Sequence, residues 1–343
     1  MIDLITSAGF FKRASVWIAL GVAAFIVILI VYLNRQNIGA AFFPPKSLPA
    51  TAAFGILPKF NINAGYKPQG NVHYELQTVT GELPALSSTA KVFNISRNAI
   101  SFSTFDAIGD RARKLGFTGE PVKFDNELQF KDSGNNNRVL TVNIQNGNLT
   151  LTSAYLTDTA SLASKPRSVE EAKNTAINFF KAAGVDLSDF PTDKIKTSNY
   201  RVDGNSLVQT TSLSTTNLIR VDFNRTDLDK FPIVPEKMDL NPVSVLVSDR
   251  AVVDARYNAL AIEKNSFATY PLKGSGLAFE DLKAGHAFYN KTYSGQNLTI
   301  TSVSLGYMDT DSYVEYLIPV YIFNVAGGFS AYVPAVADSW IQR

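Results

Sequence analysis

The chain has no cysteine among its 343 residues. That removes a disulfide framework, a thiolate metal site, a cysteine nucleophile and lipid attachment through a cysteine. Histidine is nearly missing as well: only His73 and His286 occur, far apart in sequence. A histidine metal site or a Ser-His-Asp relay would need one of them beside other partners. Charge of one sign is missing too, with 32 Lys and Arg against 30 Asp and Glu and a net charge of +2. Such a balance exerts no long-range pull on nucleic acid, so nucleic acid is not expected as a partner.

Catalytic motifs are absent or incomplete. Ser88 and Lys91 match S-x-x-K, but the companion S-D-N and K-T-G elements of that enzyme class do not occur. Asp309 and Asp311 could offer oxygens to calcium. An EF-hand loop counted from Asp309 would need glycine and glutamate where Val314 and Val320 stand. The stretch Asp309 to Ser312 therefore reads as a solvated hairpin turn. Gly274-Ser275-Gly276 lacks the spacing of a phosphate loop. Glu170 and Glu171 suit the first turn of a helix, where the dipole favours acids. His286 follows a helix C-terminus, where a cation is mildly favoured. No catalytic, metal or cofactor-binding residue is assigned from the sequence, and the chain is expected to be non-enzymatic.

One feature does stand out. Ala14 to Leu33 is an uncharged, mostly apolar run of twenty residues. A helix of about 20 such residues spans a hydrocarbon core about 30 Å thick. A cleaved signal peptide is the alternative, with Lys12 and Arg13 before the run and Gly39-Ala40-Ala41 after it. The run exceeds the usual length of a signal-peptide core, which favours an uncleaved anchor. Residues 1–13 are then a short cytoplasmic tail, 14–33 a single span in the lipid bilayer, and the remainder extracytoplasmic. The expected location is the cell membrane, in a single pass.

Pro44, Pro45, Pro49, Pro58 and Pro68 mark 34–70 as an extended juxtamembrane linker. Three helices are expected beyond it. The first is Ser103 to Leu115, ended by Gly116. The second is Val169 to Ala183, capped by Ser168 and ended by Gly184. The third is about Gly276 to Ala284, capped by Ser275 and ended by Gly285. Each is followed by strand-like alternation, as in Ile219, Val221 and Phe223 or Val253, Ala255 and Tyr257. Tyr313 to Phe323 reads as one central strand, interrupted at Pro319. The unit of helix, glycine and antiparallel strands thus recurs three times. The expected fold class is α+β: an N-terminal transmembrane helix followed by tandem helix-plus-antiparallel-meander units. Their expected bounds are 71–160, 161–265 and 266–343.

That plan resembles the PepSY domain, and tandem copies behind one span resemble the YycH/YycI family of bacterial envelope accessory proteins. The matching residues are Tyr270-Pro271-Leu272, Ala278 to Gly285, Val303 to Tyr307, Tyr316 to Phe323 and Arg113 to Phe117. The resemblance implies a non-enzymatic extracytoplasmic module that binds an envelope protein or peptide, restraining a peptidase or a sensor kinase. A structural subunit of an envelope, secretion or pilus assembly is the alternative. A cell-wall hydrolase with carboxylates gathered from different repeats is the second.

Overall fold

The computed structural model describes residues 48–60, 66–68, 72–97, 102–132, 137–158, 162–237, 241–249 and 251–342. The segment Ala14 to Leu33 and the tail before it lie outside these. Among the described residues no helix is long and apolar enough to cross a membrane.

Among the described residues, eighteen strands and three α-helices follow one another. The first elements are β1 (His73–Leu76), β2 (Thr89–Ile95), α1 (Phe102–Lys114), β3 (Val122–Phe124), β4 (Glu127–Lys131), β5 (Val139–Asn143) and β6 (Leu149–Thr152). Then come α2 (Val169–Ala182), β7 (Lys196–Asp203), β8 (Ser206–Thr210), β9 (Leu218–Asp222), β10 (Ile233–Pro235), β11 (Val243–Val247) and β12 (Val252–Tyr257). The last are β13 (Ile262–Pro271), α3 (Ser275–Lys283), β14 (Phe288–Tyr289), β15 (Asn297–Asp309), β16 (Tyr316–Leu317), β17 (Pro319–Val325) and β18 (Phe329–Pro334).

The strands form three sheets. Nine run in the order β3-β4-β5-β6-β12-β11-β9-β7-β8, antiparallel throughout. A six-stranded sheet runs β1-β15-β17-β18-β14, and β10 also pairs with β15. There β1 and β10 both run parallel to β15, one beside each end of it. The third sheet is β13-β2-β16.

The helices form where the pattern places them. Ser168 Oγ accepts from the Glu171 amide at 3.0 Å and starts α2. Ala172, Ala176, Phe179 and Phe180 form its buried stripe. Gly184 ends it with φ 70°, and the side chain of Arg111 from α1 packs so close that a Cβ there would clash. At α3 the expected cap differs: Gly274 is the cap, and Ser275 Oγ donates to the Pro84 carbonyl at 2.9 Å.

The expected fold class is corrected at the level above single elements. The fold is predominantly β, and it is not a row of helix-plus-meander units. Helices α1 and α2 share one sheet and one core. Ile108 and Ala112 of α1 pack with Ala176 and Phe180 of α2 on Phe130, Leu151, Ile219 and Val245 of the nine strands. The six-stranded sheet takes β1, β10, β14, β15, β17 and β18 from all three expected units, and so does the sheet β13-β2-β16. Local periodicity reports which face of a strand is buried. The ladder hydrogen bonds are blind to side-chain identity, so pairing across distant segments leaves no local trace.

Two further readings change. The strand Tyr313 to Phe323 is split, because β16 lies in the three-stranded sheet and β17 starts at Pro319 in the six-stranded one. Proline has no N–H and suits the first residue of a strand. The folded part also includes residues of the segment read as linker. Leu57 is fully buried, its amide donates to the Trp340 carbonyl at 2.8 Å, and Tyr270 Oη donates to the Gly55 carbonyl at 2.9 Å.

Candidate functional site

The three sheets meet around one buried cation. In β9 the inward positions are Ile219 and Val221, and the alternation continues through Phe223 to Arg225. Arg225 therefore points inward, with its side chain only 8% exposed. Such a charge is tolerated only when paired and hydrogen-bonded. Its Nε and Nη2 donate to Asp189 Oδ2 at 3.2 and 2.8 Å, its Nη1 to Asp309 Oδ2 at 2.9 Å, and its Nη2 also to the Leu260 carbonyl at 2.7 Å. The guanidinium stacks over Phe190 at 5.7 Å.

Asp309 arrives by the same logic from β15, in step with Val303, Leu305 and Tyr307. Its Oδ1 accepts from the Leu260 amide at 2.9 Å. Asp311 is bonded by Lys237 at 2.5 Å and by Asn258 Nδ2 at 2.8 Å, and Glu236 Oε2 accepts from the Asp311 amide at 3.0 Å. The expected solvated hairpin turn is therefore corrected. Asp309 and Thr310 are buried, and this turn is the polar seam that joins β15 to the nine-stranded sheet through Arg225 and Asn258.

Burial works against the charges of Arg225, Asp189, Asp309 and Glu236. On Arg225 the carboxylates of Asp309 and Asp189 outweigh it and hold the guanidinium pKa above its usual range. On Asp189 burial is outweighed by bonds from Lys264 and Arg225, so its carboxyl lies below the usual range. On Asp309 burial wins over Arg225 and pushes the carboxyl up. Glu236 is pushed up for the same reason.

Arg225 forms the common wall of two clefts. The larger, about 350 Å³, is framed by Asp186, Asp189 and Phe190 of the loop after α2, by Tyr257 and Leu260, and by Lys264 of β13. The smaller, about 170 Å³, lies toward Asn241, Pro242 and Asp309 and shares Phe190 and Arg225 with the first. The larger one falls within the size range of small-ligand sites. Lys264 pairs with Asp189 Oδ1. Asp186 accepts from the Ser188 amide at 2.9 Å and from its hydroxyl at 3.0 Å. Burial pushes the Tyr257 phenol up to about 12 against the pull of Arg225, so it is a neutral donor at ordinary pH.

No protein-family model matches the chain, and no curated protein matches it. Among solved structures, the crystal structure of an uncharacterized protein from Eubacterium rectale is similar to it. That similarity covers 77% of this chain and 86% of the other, at 12% identity and a TM-score of 0.34. A likeness of that size carries no argument about fold or function.

The residues singled out in the sequence do not assemble. His73 opens β1, and His286 follows α3 with its ring 75% exposed and its Nδ1 3.8 Å from Asp281. Lys91 of the S-x-x-K pair bonds Asp229 at 3.1 Å. None of these lines the larger cleft. Only Asp309 and Asp311 belong to the polar seam. The sequence reading missed Arg225, Asp189, Lys264 and Tyr257. A charged residue standing at an inward position of an alternating strand was the available signal, at Arg225 and again at Asp309.

Proposed function

We propose that this chain is a membrane-anchored, extracytoplasmic binding module that works without covalent or acid–base chemistry and engages an envelope protein or peptide. The observation that supports it is the state of the polar groups around the larger cleft. Arg225 gives four hydrogen bonds to two carboxylates and a carbonyl, while Lys264 rests half-exposed on Asp189. A buried cation committed in this way holds a wall in shape. The hydroxyls of Ser96 and Ser188 border the cleft with neither histidine of the chain there to activate them. The anchor is proposed on Ala14 to Leu33. The partner class is proposed on the resemblance of the C-terminal residues to the YycH/YycI family.

Two experiments test this. Protease added to intact spheroplasts should digest the part beyond Asn34, and carbonate washing should leave the protein in the membrane. A soluble product that begins near Phe42 would overturn the anchor. Single alanine changes at His73, His286, Ser88, Lys91, Ser96 and Ser188 should each leave the phenotype of a complemented deletion strain within a few-fold. Binding energy of a surface is concentrated in aromatic and arginine anchors, not in nucleophiles. One inactive variant present at normal level and normally folded would move the protein to the enzymes.

A further inference from the structure

A distortion in β13 places a cation over the larger cleft. Ile262 pairs with Ile95 and Phe267 with Phe93, so five steps along β13 match two along β2. The four residues Glu263 to Ser266 stand opposite Asn94 alone, so three are surplus and the strand bulges there. Bulges re-aim side chains, and this one turns Lys264 onto Asp189. The Lys264 side chain is 52% exposed, whereas that of Arg225 on the other side of Asp189 is 8% exposed. Half-exposed ion pairs contribute little net stability, so Lys264 leaves its seat at small cost.

The charges around this seat do not cancel. Arg225 is paired from behind by Asp309, which does not line the cleft, and Lys264 by Asp189, so that Asp186 is left over. Asp186 has no ion-pair partner among the described residues and bonds only to Ser188. The Tyr257 hydroxyl opens onto the same space and makes no hydrogen bond among the described residues, although Asp186 and Asp189 both act on it. Its oxygen is free to accept. Phe190, Leu260 and Ile262 give one apolar stretch of wall, and Ser96 and Ser188 border the rest. One surplus negative charge, one free acceptor and an apolar wall describe the complement of a methylene stem that ends in a cation.

We propose that the cleft seats the side chain of a lysine or arginine from a peptide partner, with its head on Asp186 and Tyr257 Oη and its stem along Phe190, Leu260 and Ile262. Lys264 holds the neighbouring carboxylate while no partner is present. This rests on the binding-module reading above and names the ligand class of that module.

The test is calorimetric titration of the full chain in a non-ionic detergent. The probes are N-acetylated, C-amidated Gly-Arg-Gly, Gly-Lys-Gly and Gly-Gln-Gly, with triglycine amide carrying a free amine as the terminal-amine control. The arginine and lysine peptides should bind at least about threefold more tightly than the glutamine peptide, the scale of one ion pair to the exposed Asp186. Asp186→Asn should remove that preference and leave the glutamine peptide unchanged. Lys264→Met should tighten both cationic peptides about threefold, since it removes the competing ammonium. Thermal melts identify any variant that fails to fold, and either variant alone suffices for the decision. Equal binding of the three blocked peptides overturns the proposal. So does equal binding of triglycine amide, or absence of binding to both wild type and Lys264→Met. Those outcomes leave the binding-module reading standing. That reading falls to the inactive, folded variant described above, whatever the peptides do.

Discussion

The nine-stranded sheet and the six-stranded sheet reach a buried core by different routes. In the first, hairpins of sequence neighbours supply much of the order: β3 to β6 in a run, β7 with β8, and β11 with β12. Two helices from the same stretch of chain cover one face, and the core is apolar from Ile108 to Ala259. In the second, β15 is the organiser. It collects β1 from one end of the chain and β10 from the middle, both in parallel, and these pairings close long loops. Between the two sheets the contact is not oil-like. It is a seam of Arg225, Asp189, Asp309, Glu236, Lys237 and Asp311. Apolar burial tolerates many arrangements of similar volume, whereas a buried ion pair tolerates few, so the seam is where relative placement of the sheets is specified.

The largest test of that contrast is Leu282→Asp. Leu282 is 1% exposed and anchors α3 on the six-stranded sheet. A buried unpaired charge should cost about 4 kcal/mol or more. Chemical denaturation followed by circular dichroism should show two transitions in this variant, with the nine-stranded sheet surviving the first. A single unchanged transition would mean that α3 contributes nothing to that core.

Next in size is Arg225→Met, which keeps the stem, leaves Asp309 without its cation and leaves Asp189 with Lys264 alone. Removing one partner of a buried pair should cost about 3 kcal/mol. The sign with pH follows from the carboxylates. Without the guanidinium they resist ionisation in the folded protein, so the variant loses stability as pH rises. The deficit should be smaller at pH 4 than at pH 8 in parallel urea titrations. A pH-independent deficit would mean that the loss is packing alone.

Gly306→Ala tests the close approach of β10 to β15. A Cβ there would lie 2.4 Å from Ile322 Cδ1 and 2.9 Å from the carbonyl oxygen of Pro232, which also accepts from the Tyr307 amide. The side chain can shift, but the backbone has no room to give. A cost of about 2 kcal/mol is expected by thermal unfolding. A neutral substitution would show that β10 is loosely attached.

The smallest effect belongs to the outer face of the nine-stranded sheet. Burial pushes the Asp254 carboxyl up to about 6, against the pull of Arg256 and Arg220. A raised carboxyl pKa means that the folded protein holds the proton more tightly than the unfolded chain does. Stability therefore falls as pH rises from about 4 to 6 and stays lower above that window. Asp254→Asn should remove this fall and be more stable than wild type by about 1 kcal/mol at pH 8, with no gain at pH 4. Equal gains at both pH values would assign the effect to something other than ionisation.

These contrasts follow the division between local and distant information. The expected helices match the observed ones within a residue or so at each end, because capping and glycine stops are decided by the nearest few residues, as at Ser168 and Gly184. The alternation of Ile219, Val221 and Phe223 correctly marks the inward face of β9, since the pleat alternates side chains whatever the partner. The same alternation put Arg225 and Asp309 on inward faces, 84 residues apart. What made those positions a site is that tertiary pairing brought them within 2.9 Å. By itself, then, the sequence determined element positions, buried faces, and the absence of cysteine chemistry. The tertiary structure alone decided which strands pair, that α1 and α2 share one core, and that a turn rich in aspartate is buried. The physical reason is that backbone ladders carry no residue code and that the cost of burying a charge depends on the groups around it in space.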